Sequence, residues 1–188
     1  MVKLGLIGII SKPFIGHHDW NGVFYSNIAR NYLRLGLLKT GLGQVTDFGV
    51  VTQPQGFYTH YPPLYLAPYA LLAKIGIESR SIFRIFSILI SLSALFLFYL
   101  FTKSISTKTI ATIASIYYGF SVTFLNYADS ISIQPWTILF TFLILNLSIP
   151  AWRNIDSPKK YRRYNFYIWF AYLTLSLSSF DATFFVFA

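Results

Sequence analysis

Read for alternation of hydrophobic and polar positions, the chain separates into an irregular first part and a second part of long apolar runs. Phe83 to Phe101 carries a single charge, Arg84, at its start. Thr109 to Asn126 is a second run, which contains Gly119. Gln134 to Trp152 is a third, with Pro135 in the first turn, where proline is tolerated. Asn165 to Ala188 is a fourth, interrupted by Asp181. Each approaches the roughly 20 residues that a helix needs to cross the hydrocarbon core of a bilayer. Buried helices of a soluble protein would show polar faces, and these runs have almost none. The pattern predicts an all-α, polytopic transmembrane protein with spans at about 83–101, 109–126, 134–152 and 165–188.

Before residue 83 the pattern changes. Residues 1–16 are apolar enough to be part of a first membrane helix, shortened by Lys3, Lys12 and Pro13; they lack a clear signal-peptide cleavage site. From Gly22 to Leu38, Val23, Ile28, Ala29, Tyr32, Leu33 and Leu35 recur at helical spacing, and Arg30 and Arg34 lie four apart on another face. This predicts an amphipathic helix lying on the membrane surface. Residues 39–57 read as a loop rich in glycine, without the GK[ST] signature of a phosphate loop. The apolar stretch Leu64 to Ile77 opens after a proline pair and is too short to span, which predicts a second surface helix or a half-inserted one.

Composition narrows the class. Of the 188 residues, 11% are charged, against about 25% in soluble domains, and 20% are aromatic, which excludes a disordered coil. The net charge of +9 would point to nucleic acid in a soluble protein. Here the basic residues sit between apolar runs, so membrane lipids, not nucleic acid, are the expected partner. Absence of cysteine excludes disulfides and thiol chemistry within the chain. Lys103 and Lys108 lie in one connection, and Arg153, Lys159, Lys160, Arg162 and Arg163 in another, whereas 127–133 carries only Asp129. Basic short loops stay in the cytoplasm. This places 102–108 and 153–164 inside, and 127–133 together with the 17–82 segment outside, in a plasma membrane or an endoplasmic reticulum membrane.

The outer segment holds the candidate chemistry. An acid, Asp19, follows the first apolar stretch, and a Tyr-x-x-Ile-Ala-Arg-Asn-Tyr helix ending in glycine follows it (Tyr25 to Gly36). Then come Tyr61-Pro62-Pro63-Leu64, a short helix, and Arg84 at the mouth of the next span. From Asp19 to about Leu95 this order resembles the membrane-embedded C-type glycosyltransferases, in particular the dolichyl-phosphate-mannose-protein mannosyltransferase-like group of family 39; beyond that only the helical topology agrees. The resemblance implies inverting transfer of a sugar from a polyprenyl-phosphate donor to a lipid, glycan or protein acceptor on the outer face. It implies Asp19 as general base and Asp129 as a second acid, with cationic residues near the proline pair holding the carrier phosphate. Some relatives have lysine before the proline pair, where this chain has Tyr61 beside His60. The family normally has more helices, which implies that the chain is an N-terminal part, spanning 1–188 as one transmembrane domain.

The residue chemistry runs in the same direction. A carboxylate within reach of an attacking hydroxyl can take its proton, although Asp19 could equally cap the helix that follows. Arg84, Arg30 and Arg34 can bind phosphate oxygens bidentately or simply meet lipid headgroups. Asp181 would lie in the outer half of the membrane, where a carboxylate is costly and usually faces a cavity or a partner. The sequence specifies no cofactor. A divalent metal held by His17, His18 and His60 with Asp19 and Asp129 is the weaker reading, because adjacent histidines point apart. Asn146-Leu147-Ser148 matches a glycosylation acceptor but falls within a span. The rival classes are a transporter or channel component, in which the membrane acids mark an ion path, and an inactive fragment.

Overall fold

The computed structural model describes residues 17–36, 39–41, 43–48, 56–58 and 61–179, with side chains from Trp20 onward. The expected partial helix at 1–16 lies outside the described residues, as does the end of the fourth run at 180–188. Among the described residues the architecture is helical apart from one pair of two-residue strands.

The first helix, α1, runs His17–Leu35. It stops at Gly36, whose φ of 87° supplies the left-handed turn that closes many helices. Two short strands, β1 (Gln44–Val45) and β2 (Phe57–Tyr58), pair antiparallel, with Gln44 opposite Tyr58. The expected featureless loop is therefore pinned at its base. After the proline pair a single 3-10 turn, Leu64–Leu66, leads into α2, Ala67–Lys74, with Pro68 in its first turn.

These pieces form a cap whose helices pack on one another in a core continuous with the start of the bundle. Tyr25, Ile28, Ala29 and Tyr32 of α1 are buried against Tyr65, Leu66, Tyr69 and Ala73. Each such large side chain gains about 1.5–3 kcal/mol over exposure to water. Another side of α1 is covered by the β1 strand and the residues after it. Asn27 and Asn31, one helical turn apart, donate to the Asp47 carbonyl at 2.9 and 2.7 Å, and Asn31 also donates to the Val45 carbonyl. Amide groups buried on a helix need partners, and the strand carbonyls supply them.

The second part is a bundle. Helix α3 runs Arg80–Ile105, and α6 runs Ile133–Arg153. Both are long and apolar enough to cross a membrane, and only 17% and 22% of their most apolar windows are buried. A core helix of a soluble protein would be mostly buried. The two helices run parallel and in contact: Phe86 lies near Trp136, Phe98 near Phe142, and the Asn146 side-chain amide donates to the Leu97 carbonyl at 2.9 Å. Asn146 is thus a packing residue.

The other two expected spans differ. The run at 109–126 divides into α4, Lys108–Gly119, and α5, Val122–Tyr127. The Ser121 hydroxyl accepts from the Phe124 amide and starts a new helix, so the chain bends after Gly119. The run at 165–188 begins earlier and ends earlier: α7 occupies Pro158–Ser176. Ser157-Pro158 is a helix start, and the serines at 176, 178 and 179 mark its end; the four basic residues at 159–163 are helical instead of forming a loop.

The α3 surface is inside-out. Ile82, Ile85, Leu89, Leu92 and Phe96 form an exposed apolar stripe, while Arg84, Ser87, Ser91 and Ala94 form the buried one. Both follow helical spacing. In α7, Phe166, Trp169, Phe170 and Leu173 are exposed, and Ala171 and Leu175 pack with Ile144 of α6.

Candidate functional site

The cap, the connection between α5 and α6, and the C-terminal end of α7 meet at one end of the bundle. Leu64 donates its amide to the Leu177 carbonyl at 3.1 Å, and Ile131, Ile133 and Trp136 join the cap core. Three segments that are far apart in sequence, around residues 61, 84 and 129, come together there.

Arg84 is the centre of this junction. It is 1% exposed, and its Nη1 donates to the Asp129 carboxylate at 2.5 Å. Burying a guanidinium alone is prohibitive, and the short charge-assisted pair offsets much of that cost. One and two turns further along α3, Ser87 shares a hydrogen bond of 2.8 Å with the Tyr69 hydroxyl, and the Ser91 hydroxyl donates to the Ala128 carbonyl at 3.0 Å. The polar seam thus ties α3 to the cap at Tyr69 and to the following turn at 128–129. Ser87 and Ser91 were absent from the sequence-derived site. Their spacing from Arg84, three and seven residues, was the available signal.

Beside the junction lies a cavity of about 400 Å³ between α3, α4, α5 and α6. Its walls are mainly apolar. Tyr61, Ser179 and Gln134 contribute polar groups from the cap end, and Tyr118, Thr123 and Tyr127 from the broken helix. The Gln134 Oε1 is buried without a hydrogen-bond partner among the described residues.

Tyr61 belongs to an aromatic cluster under the cap. Tyr25 meets Tyr65 edge-on at 5.4 Å, and Tyr58 lies 6.3 Å from Tyr61. Burial first, and then the neighbouring Tyr25, push the Tyr58 hydroxyl up to about 12. Burial also raises Tyr25 and Tyr65 above the usual tyrosine range. At neutral pH these groups are hydrogen-bonding hydroxyls, not proton acceptors.

Of the other expected site residues, Arg30 and Arg34 fall elsewhere. Arg30 pairs with Glu78 at 3.2 Å and donates to its carbonyl, in an open depression with Asn27, Ser79 and Arg80, so it is not part of the cavity beside Arg84. Arg34 is exposed near the end of α1. The backbone of His17, His18 and Asp19 forms the first turn of α1, and their side chains lie outside the described residues, as do His60 and Asp181 entirely. Among the described residues no three His, Asp or Glu side chains gather as metal ligands. No family model, curated protein or solved structure matches the chain.

Proposed function

We propose that the protein is a polytopic membrane glycosyltransferase that takes a sugar from a polyprenyl-phosphate donor on the non-cytoplasmic side. The surface of α3 supports the membrane part of this reading: it turns Arg84, Ser87 and Ser91 inward and Ile82, Ile85, Leu89, Leu92 and Phe96 outward, as lipid requires. The observation that carries the catalytic part is the buried Arg84–Asp129 pair, joined through the Ser91–Ala128 hydrogen bond to the apolar cavity that Tyr61, Ser91 and Ala128 line. Tyr61 and Arg84 come from the stretch on which the family resemblance rests, and Asp129 from the following loop, where the resemblance implies a second acid.

In this reading the donor's apolar carrier lies against the bundle, and its phosphate reaches the junction. The acceptor hydroxyl attacks the anomeric carbon from the face opposite the carrier. The bond from that carbon to the phosphate oxygen breaks, and the new glycosidic bond forms with inversion. Asp19 takes the hydroxyl proton, and the lipid phosphate leaves with the bonding electron pair. Arg84 offers positive charge to that leaving phosphate, and Asp129 holds the guanidinium in place, acting as a positioning residue. A divalent metal, if the reaction uses one, would add a further cation at the phosphate.

The test is transfer from labelled polyprenyl-phosphate sugars in membranes that carry the protein. Wild type is expected to transfer label, and Asp19→Asn to lose it while remaining in the membrane at normal abundance. Full transfer by Asp19→Asn would remove Asp19 as the base; absence of transfer by folded wild type with every donor would shift the assignment to a transporter component or an inactive fragment.

A further inference from the structure

The end of the bundle away from the cap carries a different surface. Arg153 closes α6, and Lys159, Lys160, Arg162 and Arg163 occupy the first two turns of α7; all five are exposed. Lys103 and Lys108 flank the neighbouring turn between α3 and α4, and both are exposed too. The only acid in these two connections is Asp156, and it forms no ion pair among the described residues. Lys159, Lys160 and Arg162 likewise form none.

The aromatic residues give this charge a depth. Trp152 is 76% exposed immediately before Arg153. Phe166, Trp169 and Phe170 continue the same helix as an exposed apolar stripe directly after the basic turns. The Arg163 guanidinium lies 5.8 Å from the ring centre of Tyr167. Basic turns, then aromatic rings, then an aliphatic stripe is the order of a surface that passes from headgroups through the interface into acyl chains. Seven exposed cations with one acid between them have their complement in a dense negative surface.

We infer that this end of the bundle binds the headgroups of anionic phospholipids, with α7 as the main contact. The inference rests on the membrane reading above and is independent of sugar transfer. Each basic residue near an anionic bilayer adds attraction that salt screens. The surface therefore selects anionic lipid for the shell around α7, and helps hold this end on the cytoplasmic side.

The full chain would be reconstituted in lipid discs in which either phosphatidylglycerol or phosphatidylcholine carries brominated acyl chains, at equal mole fractions, and tryptophan quenching would be measured. Brominated phosphatidylglycerol is expected to quench more, with an enrichment of roughly fivefold around the protein, about the attraction of a single basic residue. The difference should shrink at high salt and vanish in Trp152→Phe/Trp169→Phe, which places it at this end. It should also vanish in Lys159→Gln/Lys160→Gln/Arg162→Gln/Arg163→Gln, whose exposed positions leave the helix packing intact, as unchanged circular dichroism would verify. Equal quenching by the two lipids in wild type, or a preference that survives the fourfold substitution, would overturn the inference. Quenching by neither lipid would overturn the membrane reading and this inference with it.

Discussion

The cap and the bundle solve the burial problem in opposite ways. In the cap, Tyr25, Ile28, Tyr32, Tyr65 and Tyr69 point inward, and the amides of Asn27 and Asn31 are consumed by strand carbonyls. In the bundle, Ile85, Leu89, Leu92 and Phe96 of α3 point outward, and Arg84, Ser87 and Ser91 point inward. The two regions thus bury opposite kinds of side chain, and the change occurs at Arg84. That residue belongs to the apolar α3 helix by sequence, yet it is paired to Asp129 where cap and bundle join. The seam between the two regimes is the place to break the molecule, and it coincides with the candidate site.

The largest effect is expected at that seam. Asp129→Asn leaves the buried Arg84 charge without its carboxylate, a loss of about 3–5 kcal/mol. Thermal unfolding of the full chain in detergent should show a large fall in midpoint. Replacing both partners, as Arg84→Met/Asp129→Leu, should recover most of it, because the pair's desolvation cost goes with the pair. Equal instability in the single and double variants would mean that the seam is held by packing alone.

A smaller effect is expected within the cap. Asn31→Ala removes two hydrogen bonds and takes the Asn31 donor from the Val45 carbonyl, while the Asp47 carbonyl keeps its bond from Asn27. A buried group left unsatisfied costs about 1–3 kcal/mol. Limited proteolysis should cut the 39–58 segment faster in the variant, with the bundle unchanged. Cleavage that spreads into α3 and α6 instead would show that cap and bundle unfold as one unit.

Alkaline pH should also separate the two regions. The folded Tyr58 hydroxyl ionises at about 12, against an ordinary value of 10.0. The native state therefore holds that proton longer than the unfolded chain does. Its contribution to stability is complete below about pH 10 and is lost as pH rises towards 12. Tyrosinate absorbance should show a late-ionising group that disappears in Tyr58→Phe, and the cap should loosen over that window.

The bundle was the more legible region in sequence, because an apolar run of the right length leaves few alternatives. The spans at 83–101 and 134–152 appear as α3 and α6, each a few residues longer. The cap was less legible for a physical reason. Helical periodicity in 22–38 identifies an apolar face but not what covers it, and a membrane surface and a protein core give the same pattern. Asn27 and Asn31 looked like ordinary polar positions because their partners lie 14–20 residues away. Arg84 and Asp129 were each singled out, but their pairing over 45 residues followed from no local rule.

The smallest effect is expected at the break between α4 and α5, where a local signal was present. Gly119-Phe120-Ser121 combines a weak helix former with a capping hydroxyl, and the Ser121 Oγ accepts from the Phe124 amide at 3.2 Å. Ser121→Ala removes that cap and should cost about 1 kcal/mol. The break lies beside Leu95, near the middle of α3, where a Cβ on Gly119 would meet the Leu95 side chain at 3.1 Å. If the break exists to shape the cavity that Thr123 and Phe124 line, removing its cap should let α4 and α5 merge and narrow the space. Ser121→Ala should then lower transfer from a polyprenyl-phosphate donor more than it lowers the unfolding midpoint. Equal, slight losses in both would reduce the break to a local accommodation of Gly119 against Leu95.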